Sequence, residues 1–464
     1  MSISEATPGM DAAPVDRGPD DRAFLGHPKG LGYLSFVEGC ERFSYYSMQT
    51  LLVLYMVKYL LLPENMGNVI GLSFLQNSYY GGLEGQPLAS AIFGDYTVLV
   101  YLTPILGGII ADRWLGRRAT LIWGALIMAL GHFLMAFEGT FLFALLALVV
   151  GVGLFKGNIA SQVGELYDDK DLRRAMAFQI FYIAINVSVI AAPLVSGTLG
   201  EKVGWHWGFG TAGIVMVAGL FIYLAAGPWL PADNKPAKGE KAASIPMSQK
   251  DWLRVLALVL LVPVLAVSLL TNQEIFNAYL VWADEHFALT FMGETLPTSW
   301  MITVDATLSF SMLVAVAAFY KWYGTKWKEP DELGKMVIGS FFTIGGGLCL
   351  YIAAVTQGDG KIGLFWPLMF HLLNSIGFSH ILPVSLALFT KLAPKAINAT
   401  IIGIYYLAFF AANKIVGTIG GWYSTMDTPT FWLVHVASAA VGLVAFAFFK
   451  FVLAKRLMGD TQTA

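Results

Sequence analysis

Glu38-Gly39-Cys40-Glu41-Arg42-Phe43-Ser44-Tyr45-Tyr46 sets three charged side chains in about one helical turn of residues 33–61, a largely apolar stretch long enough to cross a bilayer. Residues three and four apart share a helix face, so Glu38, Glu41, Arg42 and Tyr45 form one polar stripe. A charge at the bilayer centre costs at least ~2.5–3.5 kcal/mol, which packing alone rarely justifies. Arg42 stays cationic at any reachable pH. A carboxylate beside it is ionised while paired and turns neutral when burial or a competing anion breaks the pair. That is the physical basis of a proton switch; the alternative is a structural ion pair that locks helix packing.

The same apolar character runs outward along the chain. Of its 464 residues 56% are hydrophobic and 13% charged, against about 25% charged in soluble domains, and the mean hydropathy is +0.64. Segments of about twenty apolar residues, enough for a ~30 Å hydrocarbon core, recur throughout. They predict twelve spans: 33–61, 88–111, 118–137, 139–163, 174–199, 207–230, 251–283, 297–322, 334–355, 363–391, 398–422 and 430–454. Pro263 predicts a tilt or kink in the seventh. The polar connection 231–250 parts six spans from six and has no room for an extra helix pair. With both termini cytoplasmic, 23 of the 29 Lys and Arg fall on the cytoplasmic side, three (Lys58, Lys202, Lys361) on the other, and three (Arg42, Lys156, Lys414) inside the membrane. That bias sets the orientation. The expected fold is an all-α integral membrane protein of two six-helix lobes, residues 31–230 and 251–456. Tails at 1–30 (disordered) and 457–464 and the linker 231–250 lie in the cytoplasm.

Composition also excludes. A net charge of −2 gives no nucleic-acid footprint. Cys40 and Cys349 both sit in apolar segments and read as free thiols. The first 24 residues lack the apolar core of a secretory signal. No Walker-type loop and no segment large enough for an ATPase are present, which points to an ion gradient as the energy source. There is no His-x-x-x-His, Cys pair or Ser-centred elbow, so an enzyme is not expected, nor a metal or other cofactor beyond the proton.

The opening string matches, at every specified position, the E-x-x-E-R-F-x-Y-Y signature of the proton-coupled oligopeptide transporters, a branch of the major facilitator superfamily. Gly107-Gly108-Ile109-Ile110-Ala111-Asp112-Arg113-Trp114-Leu115-Gly116-Arg117-Arg118 resembles the superfamily's loop between spans 2 and 3. Gly153-Leu154-Phe155-Lys156-Gly157-Asn158 resembles the family's span 4 lysine motif. Phe181-Tyr182-Ile183-Ala184-Ile185-Asn186 resembles its span 5 asparagine motif, with Ser188 where a glycine is usual, and Lys391-Leu392-Ala393-Pro394 matches the loop after span 10. The resemblance covers roughly residues 30 to 450 and is sharper in the first half. It implies a symporter of di- and tripeptides, driven by protons and working by alternating access, in a cell membrane (a bacterial inner membrane) and active as a monomer. The alternative is a transporter of the same superfamily for another small anion or zwitterion, such as nitrate or a single amino acid.

A dipeptide is a zwitterion, so its site needs cations at one end and an anion at the other. Arg42 and Lys156 suit the carboxylate, the first as a planar fork and the second as a mobile point charge, and the resemblance implies the same role for both. The alternative for Lys156 is a snorkelling lysine. Tyr45, Tyr46 and Tyr101 are candidate hydroxyl partners, or interface tyrosines. Asn186 is a candidate amide contact, or an interhelical hydrogen bond. Asp112, Arg113, Arg117 and Arg118 are expected to brace helix ends and gate the inner mouth.

The second half departs from the family. Relatives carry a glutamate in span 10, five residues before a proline, that receives the peptide amine; measured from Pro383 that position is Phe378. Where span 8 of relatives has Asn-Pro, this chain has Asp305-Ala306, so the anionic anchor is expected to have moved to Asp305. Glu274, shifted by one place from the family's Glu-Gln pair, is expected to couple protons as an interlobe partner of Arg42 or another group of span 1 or 2. Lys414 is expected to neutralise Asp305 or Glu274, in the empty site or as a permanent structural pair. His380 either titrates near neutral pH or is a hydrogen-bonded packing residue.

Overall fold

Residues 19–168, 171–231, 247–394 and 397–454 are described by the computed structural model. Most of the expected N-terminal tail and linker, the whole C-terminal tail and Asp169 lie outside them. Twelve long helices are present among the described residues. In the first half these are α1 (Lys29–Tyr55), α2 (Gly85–Ile110), α3 (Arg117–Leu134), α4 (Phe141–Glu165), α5 (Arg173–Ala192) and α6 (Trp205–Ala225). In the second they are α7 (Gln249–Ser268), α8 (Trp300–Tyr323), α9 (Glu332–Thr356), α10 (Phe365–Leu392), α11 (Asn398–Gly420) and α12 (Thr428–Phe448). Each starts within a few residues of an expected span; the seventh, expected to run to 283, ends as α7 at Ser268. Ten of these helical stretches are long and apolar enough to cross a membrane. The other two are α1, which carries Glu38, Glu41 and Arg42, and α3, which has 18 residues and starts on two arginines. A two-residue β hairpin, Thr290–Phe291 with Glu294–Thr295, is the sole sheet among the described residues.

Local chemistry sets several helix starts. Ser248 and Asp251 form a capping box at α7, and the Asp331 and Asp427 side chains accept the backbone N–H of Gly334 and Thr430 at α9 and α12. Each satisfies a donor that the first helical turn leaves open. Pro263 does not end α7. The break comes later, through the short helix Leu270–Gln273 and a 3₁₀ turn Glu274–Phe276 to Asn277, before helix resumes at Ala278–His286. Asn277 explains why the break survives at membrane depth: its amide donates to the Val416 carbonyl (3.1 Å) and accepts from the Ser90 hydroxyl (2.8 Å). Such side-chain bonds stand in where the helix ladder is interrupted.

Within the first half, α1 packs on α5 and α6, α4 on α2 and α3, and α3 on α6. Within the second, α9 packs on α10 and α12, α8 on α10, and α7 on α11 and α12. Among the described residues, α2 with α11, α5 with α8, and α1 with the short helix Ala278–His286 join the halves. The polar stripe of α1 is thus enclosed by protein: Glu38, Glu41 and Arg42 are 4%, 0% and 5% exposed.

Candidate functional site

In the first half, helix spacing brings the α1 stripe together as the sequence implies. Arg42 Nε donates to Glu41 and lies 3.1 Å from Glu38 Oε1. Glu38 Oε2, Glu41 Oε1, Arg42 Nη2 and the Tyr45 hydroxyl are buried and make no hydrogen bond within the described residues. Buried polar groups of native proteins are nearly always satisfied by protein or by ordered water, so these atoms are open to water or a solute. The Arg42 guanidinium stands 5.3 Å from the Tyr45 ring centre. From α4, Lys156 Nζ stands 4.9 Å from the Tyr101 ring and 5.7 Å from that of Tyr45, within cation–π range. The two cations therefore flank one aromatic ring. Tyr46 packs edge-on against Tyr45 and reaches Phe276 of the second half, and Tyr101 stacks on Phe409 of α11 at 5.3 Å. The cluster lies at the seam between the halves.

In the second half two buried acid–histidine pairs appear that sequence reading missed. Asp305 of α8 lies 2.9 Å from Nδ1 of His371 in α10, and His371 Nε2 lies 2.7 Å from the Tyr279 hydroxyl. Glu274 lies 3.4 Å from Nε2 of His435 in α12 and accepts the Ala278 N–H at 3.1 Å. This corrects the expectation for Glu274, whose partner is a histidine of its own half and not Arg42; Arg42 is already held by two acids one helical turn or less away. The expectation for Lys414 changes too. It pairs with Asp95 of α2 and so ties the halves together, rather than neutralising Asp305 or Glu274, each of which has a histidine. The signal for both pairs was present, since acids in apolar helices require partners. The partners are far away in sequence.

Asn186 is half-buried and its amide donates to the Tyr182 carbonyl one turn back. His380 bonds the Ile376 carbonyl and lies between the rings of Tyr320 and Phe342, which is the packing alternative. Of the four expected gating residues, Arg117 pairs with Glu165 and stands 3.7 Å from Asp112. Arg118 donates to the carbonyls of Gly227 (3.1 Å), Leu230 (2.7 Å) and Pro231 (3.0 Å) after α6. Arg113 is exposed. All four are at the end of the molecule away from Lys58, Lys202 and Lys361.

That other end is drawn shut. Lys58 pairs with Asp284 (2.8 Å), and Gln86 donates to the Gly420 carbonyl (2.8 Å). Trp300 Nε1 donates to Thr198 Oγ1 (2.8 Å). The Glu201 carboxylate, at the end of the helical stretch that extends α5, accepts the backbone N–H of both Thr298 and Ser299 at 2.8 Å, just ahead of α8. Gly94 and Gly417 let α2 and α11 touch: a β carbon on Gly94 would sit 2.6 Å from the Gly417 Cα. A pocket of about 720 Å³, lined in part by Lys58, Glu201, Lys202, Asp284 and Lys361, sits over this closure.

Comparison with known proteins agrees with this architecture. The family model of the Major Facilitator Superfamily matches residues 43–418. The peptide transporter YePEPT of Yersinia enterocolitica is 29% identical, over 96% of this chain and 98% of its own. A di-/tripeptide transporter of Lactococcus lactis is 28% identical, over 95% of this chain and 99% of its own. The crystal structure of a peptide transporter POT in complex with sulfate superposes with a TM-score of 0.81 at 25% identity, covering 93% of this chain and 96% of that one. The chain belongs to the Major Facilitator Superfamily, and within it is similar to the POT peptide transporters.

Proposed function

We propose that the chain is a proton-coupled symporter that imports di- and tripeptides by alternating access, with twelve spans in two lobes and both termini in the cytoplasm. The observation that carries this reading is the buried Glu38–Glu41–Arg42 cluster, with its spare hydrogen-bonding atoms beside Lys156, at the seam between the halves. Arg42 and Lys156 receive the peptide carboxylate. Tyr45, Tyr46, Tyr101 and Asn186 offer polar and aromatic contacts to the peptide backbone, and Asp305, from the second half, receives the amine. A proton on Glu38 or Glu41 loosens its hold on Arg42 and frees the guanidinium for the peptide. Coupling requires such differential stability between the states of the transporter. Glu274, held by His435, braces the second half rather than exchanging with Arg42. Asp112, Arg113, Arg117 and Arg118 border the cytoplasmic mouth, and the closed end faces outward on the lysine and arginine bias.

The test is uptake of labelled Ala-Ala into proteoliposomes with and without an inward proton gradient. Accumulation only with the gradient, lost in Glu41→Gln, is the expected result. Equal uptake in both conditions rules out coupling, and no uptake in either rules out peptide transport.

A further inference from the structure

A second charged site lies on the seam of α2 and α11, apart from the peptide cluster. Lys414 of α11 holds Asp95 Oδ1 of α2, and its ammonium stands 5.8 Å from the Tyr79 ring centre. These three line a cavity of about 420 Å³ together with Tyr80, Gly94 and Thr418. Tyr79 and Tyr80, edge-on at 4.9 Å, come from the segment between α1 and α2. Lys414 is six residues from the last residue of α11, about 9 Å along its axis. From that depth a lysine stem reaches the headgroup level of the leaflet on the closed side. The Lys414 side chain is 52% exposed. Asp95 Oδ2 is buried with Tyr80 beside it. A carboxylate offers about four acceptor positions, so Asp95 has capacity left after Lys414 and Tyr80.

Deeper in the bilayer the same helix faces turn apolar. Leu99, Leu102 and Leu106 follow Asp95 at four, seven and eleven residues and so continue its face of α2; all three are exposed. Leu407, seven residues before Lys414 on α11, is exposed as well. Leucines exposed on membrane-spanning helices meet acyl chains. The seam therefore presents a cation, an anion and two tyrosines near the headgroup level, and an apolar track running inward from them. A phospholipid with a zwitterionic head has its groups in that order. The two protein charges cancel, so the site matches a zwitterionic head better than an anionic one. The Lys414 ammonium suits the phosphate, and the open acceptor positions of Asp95 suit an ammonium that carries N–H groups.

We propose that the α2–α11 seam holds one phospholipid with a primary ammonium in its head, drawn from the leaflet on the closed side, and that this lipid favours the closed state. Lys414 takes its phosphate and Asp95 its ammonium, and its chains lie along Leu99, Leu102, Leu106 and Leu407. Asp95 and Lys414 stand on different halves, and the close approach of Gly94 to Gly417 brings them together at the shut end. The site is whole only while that end is shut, and a ligand that binds one of two states shifts the population toward it. The inference goes beyond peptide transport and does not depend on what is carried.

The test uses the full-length purified protein, stripped of lipid in detergent and titrated with three dioleoyl lipids under native mass spectrometry. Phosphatidylethanolamine carries the primary ammonium, phosphatidylcholine has no N–H on its head, and phosphatidylglycerol is anionic. Phosphatidylethanolamine should be retained at least about threefold more than either other lipid, the difference that one or two hydrogen bonds make. Asp95→Asn should bring it down to the level of phosphatidylcholine. Glycerophosphoethanolamine, the same head without chains, should not displace it. In nanodiscs of constant phosphatidylglycerol content, spin labels on Val203 and Met292, exposed on opposite halves, should show more of the longer distance when phosphatidylcholine replaces phosphatidylethanolamine. Asp95→Asn should respond little to that exchange, and the wild-type comparisons decide by themselves if the variant does not fold. Equal retention of the three lipids, a preference for phosphatidylglycerol, selectivity that survives Asp95→Asn, displacement by the free head, or a distance distribution blind to the lipid overturns the proposal.

Discussion

Replacing Glu201 by Gln should open the closed end of the molecule. The Glu201 carboxylate lies on the first half and its two acceptor contacts, the N–H groups of Thr298 and Ser299 at 2.8 Å, lie on the second. These bonds exist only while that end is shut, so their whole worth enters the equilibrium between the two states. Hydrogen bonds to a charged group are worth about 1.5–3 kcal/mol each, and a neutral one about 0.5–1.5. Gln keeps the volume and one carbonyl acceptor but turns its amide donors toward the second N–H. The net loss is about 2–4 kcal/mol, which moves the ratio of closed to open by a factor of roughly 30–1,000. The Lys58–Asp284 pair spans the same gap, but its side chains are 42% and 24% exposed. A pair screened by solvent in that way is worth at most about 1 kcal/mol. Glu201 should therefore dominate the latch, although the lysine pair is the more conspicuous contact. Spin labels on Val203 and Met292, both exposed and on opposite halves, report the separation by pulsed electron resonance. Glu201→Gln should populate a longer distance and slow uptake, while Lys58→Ala should leave the distribution nearly unchanged. An unaltered distribution in Glu201→Gln, or a larger effect from Lys58→Ala, refutes the reasoning.

Gly94→Val places a side chain where a β carbon already meets the Gly417 Cα at 2.6 Å; it should hold the same end open and stop uptake in protein that still folds, as the same label pair would show. Arg42→Lys keeps the charge but loses the guanidinium whose Nε reaches Glu38 and Glu41 together, so proton-driven Ala-Ala uptake should fall at least about tenfold. His435→Leu leaves Glu274, itself 0% exposed, with only the Ala278 N–H; thermal unfolding in detergent should register a loss of about 1–3 kcal/mol, while uptake per folded molecule still responds to the proton gradient.

What the sequence disclosed, and what it hid, follows from how far apart interacting residues are along the chain. Glu38, Glu41, Arg42 and Tyr45 meet because they occupy successive turns of one helix, so their stripe could be drawn from spacing alone. The helices themselves were legible because each must bury about twenty apolar residues. Pro263 lies inside α7, and the chain leaves the helix only after Ser268, on its way to Asn277. Asn277 finds its partners on α2 and α11, which no local pattern reveals.

The acid–histidine pairs make the same point in reverse. Asp305 and His371 are 66 residues apart and Glu274 and His435 are 161 apart. Each acid stood out as an isolated charge, but His371 and His435 were single polar residues in apolar runs, where packing is the ordinary explanation. The sequence offers Lys414 as a cation for either acid. In the fold Lys414 answers Asp95 across the seam, and each acid answers a histidine of its own half.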